Sequence, residues 1–266
     1  MTMAIQLKAN KAKRSLNRGS VAFGTMVTSV RSPQVAEILA AAGFDFFVVD
    51  TEHHYFDMSQ LADMMTVARA ADIVPLVRVP DTLYHLMARP LDCGAMGLVC
   101  PRVETREQVE AIIQCTKYQP EGQRGASLSS IHTACQKIDH LEYMRWANDE
   151  TMVVIQIESR RAVENIDELV SVPGVDATWI GPFDLAQSMG LVGKWEAPEL
   201  LECYDRVIAA CNRHGVAPGI HLKDTASLGR WVGRGMRLAT YSTDAGLLIE
   251  AGSKALGELR ALVPKG

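Results

Sequence analysis

Glu158 in Gln156-Ile157-Glu158-Ser159 and Asp184 in Ile180-Gly181-Pro182-Phe183-Asp184-Leu185 each close a short apolar run that reads as the end of a buried β-strand. A carboxylate in that place faces a site rather than bulk solvent, and two from neighbouring strands can share one divalent cation. Ionisable groups recur at other strand ends: Asp50-Thr51-Glu52-His53-His54 after one run, Arg78 after another, Gln156 beside Glu158. Taken singly, each has a plain structural reading as a helix N-cap, an ion-pair partner or a loop residue, and for His54 the loop reading is preferred. Together they suit an open, oxygen-rich site for a hard ion such as Mg²⁺ or Mn²⁺ rather than the closed sulfur and nitrogen shell of structural zinc. A 2-oxo acid can complete such a site through its carboxylate and keto oxygens, with the metal as Lewis acid for an enolate.

The elements that must position these groups are legible as eight apolar runs near residues 21–27, 45–50, 74–79, 97–100, 152–157, 177–181, 217–220 and 238–241. Phe46-Phe47-Val48-Val49 and Val153-Val154-Ile155 are apolar throughout rather than alternating, as parallel strands covered on both faces must be. Helix marks lie between them: Ser32-Pro33 before 34–42, Asp57 before 58–71, Thr105 with Glu107 before a run to Thr116, and Asp244 before the last helix. The stretch 118–150, with Pro120, Gly122 and Gly125, reads as an extended loop carrying a helix at 140–147. Eight strand and helix repeats in 266 residues predict one α/β domain, a single (β/α)8 TIM barrel over 1–266. Residues 1–20 read as a solvated lead-in helix and 244–266 as a C-terminal helix. The reactive groups then belong at the carboxyl ends of the strands, where the loops converge on one mouth.

With 48% hydrophobic and 22% charged residues the chain can bury a large core, and its net charge of −4 gives no positive field for nucleic acid or an anionic membrane. No run approaches the roughly 20 apolar residues that span a bilayer. Six scattered cysteines without a Cys-x-x-Cys pair predict reduced, buried thiols in a soluble, cytoplasmic protein. Gly233-Arg234-Gly235 lacks the spacing and strand context of a phosphate-binding fingerprint.

Asp50-Thr51-Glu52-His53, Pro75-Leu76-Val77-Arg78-Val79, the string from Tyr118 through Pro120 and Gly122 to Arg124-Gly125, Gln156-Ile157-Glu158-Ser159 and Ile180-Gly181-Pro182-Phe183-Asp184-Leu185 occur in that order. Over about 21–244 the chain thereby resembles the HpcH/HpaI class II aldolases. The resemblance implies a divalent-metal-dependent aldolase, using Mg²⁺, Mn²⁺ or Co²⁺, that makes or breaks a 4-hydroxy-2-oxo acid from pyruvate and an aldehyde through a metal-bound enolate. Glu158 and Asp184 are then the metal ligands and Arg78 binds the pyruvyl oxygen. Gln156 supports it, and the amides of Phe183 and Asp184 seat the carboxylate. His53, oriented by Asp50, is the acid/base group. The resemblance also implies a homohexamer in which the last helix is exchanged between subunits. Phe183, His221 and Tyr241-Ser242 depart from the family pattern and leave the aldehyde open. The alternatives are an acyl-CoA lyase or oxaloacetate decarboxylase using the same enolate, or a barrel retained for binding or assembly.

Overall fold

The computed structural model describes residues 7–263 and shows a closed barrel of eight parallel strands in sequence order, β1 to β8. These are Ala22–Val27, Phe46–Asp50, Val74–Arg78, Gly97–Cys100, Met152–Ile157, Ala177–Ile180, Gly219–Leu222 and Leu238–Thr243. The helices are α1 Lys11–Asn17, α2 Val35–Ala41, α3 Met58–Ala71, α4 Tyr84–Asp92, α5 Arg106–Thr116, α6 His140–Glu150, α7 Arg160–Glu164, α8 Ile166–Val170, α9 Pro182–Ser188, α10 Pro198–His214, α11 Thr225–Gly233 and α12 Asp244–Leu262. No described helix is long and apolar enough to cross a membrane.

Strand side chains divide between two cores. Phe47, Val49, Val77, Leu98, Ile155 and Ile180 point outward and pack against the helices, while Phe46, Val48, Leu76, Val154, Ala177 and Leu238 fill the barrel. Such packing excludes side chains where strands crowd: a Cβ on Gly24 would stand 2.4 Å from the ring of Phe46. The interior is therefore a solid stack, and only its carboxyl end is open to chemistry.

The lead-in segment differs from its expectation. Residues 1–6 lie outside the described part, and α1 is not solvated, because Ala12 and Leu16, one turn apart on one face, are buried in the lower barrel core. Asn10 caps this helix through Lys13 N and is itself buried, its amide donating to the carbonyls of Met96 and Glu150. The helix thus plugs the end of the barrel opposite the mouth. The cysteines are free thiols, but only Cys100 and Cys211 are fully buried, and Cys135 is exposed.

At the other end, Asp244 ties the loop after β1 to the start of α12. Its carboxylate accepts from Thr28 N and Ser29 N at 3.0 Å, Val30 N at 2.7 Å and the Thr28 hydroxyl at 2.8 Å. Burial alone would raise this carboxyl, but the amides of Val30, Thr28 and Ser29 and the hydroxyl together hold it below the ordinary value. Asp244→Ala should cost about 2–3 kcal/mol at neutral pH, since three amides lose a charged acceptor. A group with a depressed folded pKa contributes its stability above the unfolded value near 3.9 and loses it as pH falls through the folded one. Urea melts should therefore show a constant difference between wild type and variant from pH 5 to 8 that shrinks below about pH 4.

Candidate active site

Strand register brings the predicted residues to the mouth. Asp50, the last residue of β2, lies directly beside Arg78, the last of β3, and is fully buried. The pair is bidentate, with Arg78 Nε donating to one Asp50 oxygen and Nη2 to the other, each at 2.8 Å. Burial would raise the Asp50 carboxyl, yet the Arg78 fork, the His54 ring and the Glu52 amide outweigh it and hold it lowered.

His53 does not meet the expectation that Asp50 orients it. The Asp50 oxygen that accepts from Arg78 Nη2 is bonded, at 2.5 Å, to Nδ1 of His54. The backbone of the loop after β2 turns the His53 ring outward, where Nε2 stands 3.7 Å from Glu52 and the side chain is 61% exposed. His54, read from sequence as a plain loop residue, is the histidine that Asp50 grips.

Glu158 follows β5 and is 9% exposed. One of its oxygens accepts from the Arg102 amide at 2.6 Å and the other from Nε2 of Gln156. Arg102 reaches it from a left-handed backbone, φ 56°, which costs a non-glycine residue about 1–2 kcal/mol. Gly181, at the N-cap of α9, leaves the space these groups use, since a Cβ there would lie 3.1 Å from Gln156 Nε2 and 3.3 Å from the Glu158 carboxylate. Asp184 occupies the third position of α9, with Phe183 before it. The Phe183 ring is exposed and leans on Trp195, 6.0 Å between centroids.

Two groups that sequence reasoning gave no role complete the site. Glu52 stands 3.4 Å from Arg78 Nη1 and 3.8 Å from Arg102 Nε, and its Oε2 is buried without a hydrogen-bond partner. The second is Arg102, whose signal was its place just after β4. Glu52, His53, Arg102, Glu158, Asp184 and Gln187 line one open pocket of about 410 Å³. Burial first, then repulsion from neighbouring carboxylates that include Asp184, pushes both Glu52 and Glu158 above the ordinary range.

Among the described residues no three His, Cys, Asp or Glu side chains are grouped so as to hold a metal ion unaided. The donors nevertheless fit a hard dication that keeps several positions for water or substrate. They are all oxygen, they repel one another across one pocket, and one buried carboxylate oxygen, on Glu52, accepts no hydrogen bond and faces only the Arg78 charge at 3.4 Å.

The chain matches the model of the HpcH/HpaI aldolase/citrate lyase family over residues 25–251. It is 31% identical to the hydroxypyruvate/pyruvate aldolase of Roseobacter denitrificans over 91% of this chain and 94% of that one. It is 32% identical to the 5-keto-4-deoxy-D-glucarate aldolase of Salmonella arizonae, covering 94% and 96%. The crystal structure of an HpcH/HpaI aldolase from Desulfitobacterium hafniense superposes with a TM-score of 0.90 at 35% identity, covering 95% and 97%.

Proposed function

Since the chain belongs to the HpcH/HpaI aldolase/citrate lyase family and is a carbon–carbon lyase of the aldolase kind, we propose that it interconverts a 4-hydroxy-2-oxo acid with pyruvate, or a close 2-oxo acid, and an aldehyde. The observation that carries this reading is the gathering of Glu52, Glu158 and Asp184 around one pocket beside a cation, Arg78, fixed by a buried aspartate. Glu158 and Asp184 would hold a divalent cation, Mg²⁺, Mn²⁺ or Co²⁺, which when bound supplies Lewis-acid polarisation of the 2-oxo group.

The protein's own groups carry the remaining work. The amides of Phe183 and Asp184 at the start of α9 receive the substrate carboxylate, and Gln156 supports it. His53, on the pocket wall, takes the proton of the C4 hydroxyl. As the C4 carbonyl forms, the C3–C4 electron pair passes into an enolate whose oxygen Arg78 stabilises. A proton then added at C3 gives the 2-oxo acid. Asp50 acts on Arg78 and not on His53: its two oxygens set the plane of the guanidinium, and His54 holds that carboxylate in place.

Release of pyruvate from 4-hydroxy-2-oxo acids, followed through a coupled dehydrogenase, tests the reading. Loss of activity with EDTA and its return with Mg²⁺ or Mn²⁺ support it, and turnover indifferent to chelation would overturn it. His53→Ala should lower kcat by about 100-fold or more, the usual share of a positioned acid/base. His54→Ala should lower it less, since its effect passes through Asp50.

The proposed assembly is a homo-oligomer, a hexamer by family expectation, in which α12 packs on another subunit. Every residue from 248 to 263 is exposed on the single chain, including Leu248, Ile249, Leu256 and Leu259. Apolar area of that extent on a regular helix marks an association surface. Residues 264–266 lie outside the described part.

A further inference from the structure

Just beneath the mouth, the barrel interior changes from apolar to polar. Asp50 and Arg78 pair, and the indole of Trp179 donates to the Thr240 hydroxyl at 3.0 Å. His221, on β7 in register with Thr240, is different. Its ring meets Trp179 edge-on, 5.7 Å between centroids, and the Arg78 guanidinium stands 5.8 Å from the centre of the same indole. Nδ1 of His221 is buried and has no hydrogen-bond partner.

Folding gives no reason for this imidazole. An unpaired buried polar atom costs roughly 1–3 kcal/mol, and an aliphatic side chain would fill the volume without that cost. Nor is the ring a cation: burial, then the charges of Arg78 and Lys223, bring its pKa down to about 4. It is a neutral group with one N–H and one lone pair. An anion would be drawn to Arg78 instead, and a methyl group would leave His221 as unpaired as before. A hydroxyl, which donates and accepts, satisfies either tautomer.

We propose that His221 selects the donor substrate: the 2-oxo acid lying against Arg78 carries a hydroxyl on the carbon next to its carbonyl, as hydroxypyruvate does, and that hydroxyl bonds to the His221 ring. The inference rests on the reading that Arg78 receives the 2-oxo group. In the synthetic direction one proton leaves C3, the C3–C4 bond forms and the aldehyde oxygen takes up a proton, so the product is a 3,4-dihydroxy-2-oxo acid and nothing is oxidised or reduced.

The test compares kcat/KM for hydroxypyruvate and pyruvate against one acceptor, glycolaldehyde, in the metal-loaded wild type, His221→Leu and His221→Gln, with thermal melts to confirm folding. Wild type should favour hydroxypyruvate. His221→Leu should lower the ratio of the two constants by at least about tenfold, the worth of a buried hydrogen bond left unmade. His221→Gln, which keeps a donor and an acceptor, should retain most of the preference. A ratio that His221→Leu leaves in place overturns the inference alone. A wild type that turns over neither donor overturns the aldolase reading and the inference with it.

Discussion

Glu158→Gln should lower turnover by about 1,000-fold or more and abolish Mn²⁺ uptake by calorimetry, while the metal-free protein melts no lower than wild type. The catalytic loss follows from removing a proposed ligand, because Lewis-acid stabilisation amounts to several kcal/mol and each 1.4 kcal/mol is tenfold in rate. The stability result follows from burial. Glu158 is 9% exposed and its pKa is raised, first by burial and then by Glu52 and Asp184, so at neutral pH its ionised form opposes folding. An amide of the same shape removes that opposition. It also keeps the bond from the Arg102 amide, and the new NH2, which can no longer accept from Gln156 Nε2, is met by Gln156 Oε1 once that amide flips, so one bond is exchanged for another. A rise of a few degrees is expected, since about 1 kcal/mol corresponds to about 2–4 °C in a domain of this size. Full activity in Glu158→Gln would remove the metal site from the proposal, and a large fall in melting temperature would make Glu158 a structural residue.

Arg78→Lys is expected to fold yet lose about 100- to 1,000-fold in kcat/KM, the cost of one oxyanion donor. Lysine retains the charge but cannot make two parallel bonds to Asp50, so its ammonium is not fixed where the oxygen develops charge. Arg78→Ala is a harsher change, because Asp50 is fully buried and removing one partner of a buried ion pair costs about 3–5 kcal/mol, less whatever His54 and the Glu52 amide retain. The pH dependence gives a second check. With Arg78 the Asp50 carboxyl is held below its ordinary value; without it, burial, the largest single influence, is opposed only by His54 and the Glu52 amide, and the folded pKa should rise. A group with a raised folded pKa contributes stability below its unfolded value and loses it as pH rises through the folded one. Arg78→Ala should therefore be more destabilised at pH 8 than at pH 5 in urea titrations, and an equal loss at both would show that Asp50 is not the carboxylate left behind.

The barrel was readable from sequence because its strands are apolar on both faces, and six of the eight lie within a residue of their expected ends. The exceptions have local causes. The seventh run was expected at 217–220, but Pro218 has no N–H to continue a ladder, so Ala217 makes only an isolated bridge to Ala177 and the strand begins at Gly219. The eighth extends to Thr243 through Ser242, which sits at φ 53° beside an irregularity in its pairing with β1. The placement of Asp50, Arg78, Glu158 and Asp184 at the mouth was accessible from the rule that strand ends and the loops after them converge there. Which of His53 and His54 Asp50 would hold was not, since adjacent side chains in a loop diverge according to backbone angles that residue types do not encode. Arg102 was missed for a related reason: its bond to Glu158 comes from a main-chain N–H, which every residue but proline carries.

That main-chain origin has a further consequence. A carboxylate steered by a peptide group does not depend on which side chain stands at position 102, so any residue that tolerates the left-handed backbone there leaves Glu158 aimed as it is. A proline there, which has no N–H, or a β-branched residue, which resists the positive φ, would disturb that aim. The proposed ligand is thus aimed by the main chain, and the side chain at position 102 is left to shape only the entrance above it.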